Sequence, residues 1–157
     1  MLAGVRMSVE DRSPFAVERP GDSLGFRLWL VTAVWQRAMA AALEPHGLTQ
    51  VQFVLLAGLW WLTRQGDEIT QAALARHARL DAMMTSQVLR GLERRGLVRR
   101  AAHSRDGRAR RLSLTKKARA LLPGAGSAVE TADAAFFHGT TAEHHAALDG
   151  LLRSLAD

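Results

Sequence analysis

The stretch from Ile69 to Thr115, ITQAALARHARLDAMMTSQVLRGLERRGLVRRAAHSRDGRARRLSLT, constrains the fold more than any other part of the chain. It reads as two short helices, a tight connection and a hairpin. Thr70 stands where a hydroxyl caps a first turn, and Ala73, Leu74 and His77 follow at helical spacing to a stop near Arg79. Leu80-Asp81 leads into the second helix, with Asp81 as its cap. There Thr85, Val88, Leu89 and Leu92 recur at i, i+3, i+4 and i+7, which makes one stripe to bury. Met83, Ser86, Gln87, Arg90 and Arg94 occupy the opposite face. Gly96 suits the left-handed residue that ends a helix. Leu97 to Arg100 reads as a strand and Arg110 to Leu114 as its return partner. Asp106-Gly107, in Ser104-Arg105-Asp106-Gly107, is the turn between them.

Charge is concentrated in the same place. Twelve basic residues between Arg90 and Arg119 meet only Glu93 and Asp106, so this stretch carries +10 of a chain whose total is +6, and the remainder is −4. A cationic hairpin after two short helices points to a polyanion such as DNA. The helix from Ala82 to Arg95 is of a size to enter the major groove, where amides and hydroxyls bond base edges. Ser86, Gln87 and Arg90 are the candidates for base or phosphate contact. Met83 either touches a thymine methyl or fills the core, and core filling is also open to Met84. Arg105, Arg110 and Arg111 are candidates for phosphate contact. Asp106 serves the turn and pairs with a neighbouring arginine.

The phrase LERRGLVRR, followed by Asp106-Gly107-Arg108 and then Leu114-Thr115, resembles the MarR family of winged helix-turn-helix repressors. Ala118 stands where the family often has glycine, a small change in a helix. The resemblance implies a mainly α fold: about six helices plus a β-hairpin wing, with N- and C-terminal helices forming a dimerisation lobe. Residues 1–22 are then a flexible arm and 23–157 a single domain. Within it, 49–115 is the DNA-binding lobe, and 23–45 and 116–157 are the dimerisation helices. Arg108 takes the place of the wing arginine that enters the minor groove, where narrow A·T-rich tracts attract it. Two-fold symmetry calls for a homodimer on an imperfect palindrome of double-stranded DNA. Family members commonly release DNA when a small aromatic or anionic effector binds between the lobes. Arg27, Trp35, His46, Trp61 and His77 are the candidates for such a pocket here, with core packing the other reading for the tryptophans. A ligand-independent regulator, or an activator, is the alternative outcome.

The flanking segments fit this plan. Residues 23 to 43 carry a long helical pattern that Pro45-His46-Gly47 breaks. Thr49 caps a second helix, apolar around much of its circumference, in which Gly58 implies close packing by a neighbour. After Thr115, a helix meets Pro123-Gly124, read as an interruption or kink. His138-Gly139 stops the pattern, and Thr140-Thr141-Ala142-Glu143 reads as a capping box for an acidic last helix. No nucleophile motif, phosphate loop or metal-spaced ligand set appears, so neither an enzyme nor a cofactor is expected. His144 and His145 are adjacent and diverge on a helix, so no metal site is expected there. The absence of cysteine and of a long apolar run points to a cytoplasmic protein without a membrane anchor.

Overall fold

A computed structural model describes residues 14–17, 19–66, 68–102 and 110–156. Six helices and three strands follow in chain order: α1 (Leu24–Leu43), α2 (Gln50–Thr63), β1 (Ile69–Thr70), α3 (Gln71–His77), α4 (Ala82–Arg94), β2 (Val98–Ala102), β3 (Arg110–Leu114), α5 (Lys116–Phe136) and α6 (Ala142–Ala156). The chain divides into two compact units, Met1–Trp35 and Gln36–Asp157, and the boundary falls inside α1. In the first unit, Ser23 Oγ accepts from the Phe26 N–H at the start of α1, and Arg27 Nε donates to the Gly21 carbonyl.

The helix starts are set by local side chains. Thr49 and Gln52 form a reciprocal capping box on α2, and Thr70, Asp81 and Thr115 accept from the N–H three residues on. Each satisfies a donor that the first turn leaves without an intrahelical partner. The ends of α3 and α4 share one device. The Gly96 N–H donates to Glu93 and the Leu97 N–H to Leu92, while Arg79 donates to Arg76 and Leu80 to Ala75. These paired bonds require a left-handed residue. Gly96 supplies it at φ 69°, and Arg79 at φ 52°.

The second unit is built on one apolar core. Leu55, Leu56 and Leu59 of α2, Leu74 of α3, Leu89 and Leu92 of α4, Leu112 and Leu114 of β3, and Ala118 and Ala125 of α5 are all buried in it. The sheet has the order β1-β3-β2 and is antiparallel throughout. Val98 pairs with Leu114 and Ala102 with Arg110, and the two-residue β1 places Ile69 opposite Leu112. The close packing expected at Gly58 is present: a Cβ there would lie 2.9 Å from His77 Cδ2 and 3.3 Å from Leu74 Cδ1.

Three expectations need correction. The sheet gains β1, which the hairpin reading did not include. Pro123 does not interrupt α5, which runs through it for 21 residues. Proline leaves the Arg119 carbonyl without its helical donor. Yet α5 packs along α2, β3 and the 3-10 turn Glu44–His46, and a Cβ on Gly124 would lie 3.2 Å from His46 Cε1. That packing holds the helix together. Finally, the cap of α6 sits one residue later than the Thr140–Glu143 box. Thr141 Oγ1 accepts from the His144 N–H, and His144 Nδ1 accepts from the Thr141 N–H, so histidine stands where glutamate was expected.

Candidate nucleic-acid interface

The recognition-helix candidate is α4. Its buried stripe is the expected one: Thr85, Leu89 and Leu92 are fully buried and Val88 packs against the core. The Thr85 hydroxyl, the sole polar group in that set, donates to the Asp81 carbonyl at 2.8 Å. Fixing that stripe turns Met83, Gln87, Arg90 and Arg94 outward along one line, all four exposed, with Ser86 half-buried at its edge. Met83 is 79% exposed and Met84 44%. Core filling is therefore not the role of Met83.

The C-terminal end of α4 is gripped from two sides. Arg95 Nη1 donates to Gln52 Oε1 at 2.9 Å, and that oxygen also accepts the Thr49 N–H in the α2 capping box. Lys117 Nζ donates to the Arg95 carbonyl at 3.1 Å, and Thr115 Oγ1 to the Gly96 carbonyl at 2.7 Å. Neither Gln52 nor Lys117 stands out in the sequence, because the partners come from segments far apart in the chain.

The basic cluster separates into two groups. Arg111 Nη1 lies 3.0 Å from Glu68 Oε1. Arg100 Nη1 donates to Gln71 Oε1 at 3.3 Å, and its Nε sits 3.2 Å from Glu93 Oε2 without hydrogen-bond alignment. Arg111, read from sequence as a phosphate contact, therefore already has a carboxylate. Arg90, Arg94, Arg99, Arg110 and Lys116 are exposed and form no ion pair among the described residues. Arg110 opens β3 opposite Ala102. Arg105, Asp106 and Arg108 lie outside the described residues.

A cleft of about 420 Å³ opens between α2 and α5. Phe53, Ala57, Trp60 and Trp61 line it from α2, and Arg119, Leu122, Ser127 and Glu130 from α5. Trp60 and Trp61 meet edge to face at 4.8 Å, and the Arg64 guanidinium lies 4.8 Å over the Trp60 ring. Of the five pocket candidates, Trp61 lines this cleft. His46 instead faces Gly124, His77 lies over Gly58, and Arg27 and Trp35 belong to the first unit. Arg119, Ser127 and Glu130 carry no signal in sequence, since each is an ordinary polar residue on an amphipathic helix. Among the described residues no group of three or more His, Asp or Glu is placed to hold a metal ion. No described helix is long and apolar enough to cross a membrane.

Helices α3 and α4, followed by the β2–β3 ribbon and backed by β1, define a winged helix-turn-helix module. Comparison with known proteins narrows this class. The MarR family model matches residues 48–109. The uncharacterized HTH-type transcriptional regulator YdcH of Bacillus subtilis is 41% identical over 122 residues, covering 75% of this chain and 80% of its own. Among similar solved structures are two of the Mycobacterium tuberculosis MarR family protein Rv2887, both with a TM-score of 0.64. Its complex with p-aminosalicylic acid is 36% identical, covering 86% of this chain and 99% of that one. Its complex with DNA is 34% identical, covering 86% and 98%. The chain belongs to the MarR family of transcriptional regulators.

Proposed function

We propose that the protein is a homodimeric repressor that binds a palindromic operator through α4 and the β2–β3 wing and lets go when a small aromatic or anionic compound occupies the α2–α5 cleft. The observation that carries the reading is the outward line Met83, Gln87, Arg90 and Arg94, next to cations that form no ion pair among the described residues. Ser86, Gln87 and Arg90 are the polar contacts of the helix, and Arg110 with Arg105 and Arg108 those of the wing. A helix entering the major groove reads bases with such side chains. The cleft suits an aromatic guest, since α2 lines it with indole and phenyl rings and α5 with one cation, Arg119, and one carboxylate, Glu130. Rv2887 with p-aminosalicylic acid is a relative whose bound compound has that character.

Dimerisation is supported by apolar surface left uncovered in one copy. On α1, Leu24, Trp29 and Val31 are 80%, 64% and 52% exposed, and on α6, Leu151 and Leu155 are 55% and 70% exposed. Helices with such faces need a partner surface. The site of action is the cytoplasm, with the DNA. Titrating a protein–operator complex with aromatic acids tests the reading. A compound that weakens specific binding in the wild type and fails to do so in Arg119→Ala supports it. Specific binding that no compound of this class weakens removes the effector and leaves a ligand-independent regulator.

A further inference from the structure

Met83 is the most exposed large hydrophobic side chain of α4, and it occupies the second position of the helix. Exposing a long thioether there has no structural return. Asp81 already caps the helix through the Met84 N–H at 2.7 Å, and the core stripe is complete without Met83. Met83 stands in one line with Gln87 and Arg90, at i, i+4 and i+7. It is the N-terminal member of that line, the end of a recognition helix that reaches base edges.

We propose that Met83 is a specificity-determining residue that reads the 5-methyl group of a thymine in each half-site. The inference rests on the operator-binding reading above. The chemistry selects the base. A thioether has no donor, so it cannot bond the acceptors of guanine, and as a weak acceptor it gains little from the amines of adenine or cytosine. Thymine alone presents an apolar group in the major groove. Methionine, unbranched and polarisable, adapts to such a contact. Four residues of helix advance about 6 Å, and successive base pairs lie about 3.4 Å apart. The thymine therefore lies within about two base steps of the base facing Gln87.

The test removes one methyl group at a time. A high-affinity operator is first selected from random duplex DNA by the full-length protein. Each thymine of a half-site is then replaced by deoxyuridine, and affinity is measured by anisotropy. One replacement is expected to weaken wild-type binding about three- to fivefold, the loss of one buried methyl contact. The same replacement is expected to be silent in Met83→Ala, to retain its effect in Met84→Ala, and to regain it in Met83→Leu. An operator bound specifically, with no thymine whose methyl effect disappears in Met83→Ala, overturns the inference and leaves the operator reading standing. Failure to select any sequence over bulk DNA overturns the operator reading and this inference with it.

Discussion

Gly96 lets the chain leave α4 at an angle that puts β2 beside it. Its φ of 69° is unfavourable for a residue with a Cβ, although open space surrounds the position where that atom would sit. Gly96→Ala therefore isolates backbone strain. It is expected to cost about 1 kcal/mol in urea denaturation, with little change in m-value. Arg90 is the opposite case, exposed and outside every described ion pair. Arg90→Ala is expected to leave the melting temperature within about a degree. Operator affinity should fall by about 1–3 kcal/mol if the guanidinium reads a base. Equal affinity in a gel-shift titration would move Arg90 out of the interface. Arg79 shows what a single residue can conceal. It adopts the left-handed conformation that glycine normally marks, so the stop near Arg79 was legible from helical spacing and the Asp81 cap, while the backbone conformation that makes it was not.

At the scale of elements, the grip on α4 is the feature with measurable consequences. Gln52 Oε1 serves two donors, one in its own helix cap and one on Arg95. Gln52→Ala removes both bonds and is expected to lower stability by about 1–2 kcal/mol. Lys117→Ala, which removes one exposed bond, is expected to lower it by less than about 1 kcal/mol. In α6, the hydrogen bond from Arg153 holds the Asp149 carboxyl below the ordinary aspartate range, against slight desolvation. A depressed carboxylate stabilises the fold above its unfolded-state pKa and loses that contribution as pH falls through the folded value. The pair is largely exposed, so its trace is expected in the Asp149 NMR titration, which should shift upward in Arg153→Gln.

The starts of α2 to α5 and the hairpin strands were legible because their causes are local. Thr49, Thr70, Asp81 and Thr115 each bond within three residues, and the Thr85–Leu92 stripe follows from helical period alone. What escaped depends on distant chain segments: β1 exists through pairing with β3, and α5 survives Pro123 through packing on other elements. For the candidate site, the outward face of α4 was legible by elimination, since its buried stripe was. The α5 wall of the cleft was not, because Arg119, Ser127 and Glu130 become neighbours of Trp60 and Trp61 only after two helices pack.

For the whole molecule, uncovered apolar residues on α1 and α6 make self-association the expected state. Sedimentation at micromolar concentration is expected to show a dimer; a monomer would contradict the proposed assembly. The divided basic cluster has a further consequence for the assembled protein. Arg95, Arg100, Arg111 and Lys117 already hold acceptors within the chain. Only side chains that reach phosphates displace the counter-ions condensed on DNA, and each such contact steepens the fall of log affinity with log salt concentration by about 0.9. Arg99→Gln is thus expected to flatten that line by about one unit per copy, whereas Arg111→Gln leaves it nearly unchanged. By occupying three guanidinium groups and one ammonium internally, the fold makes DNA binding less sensitive to ionic strength than its cation content suggests.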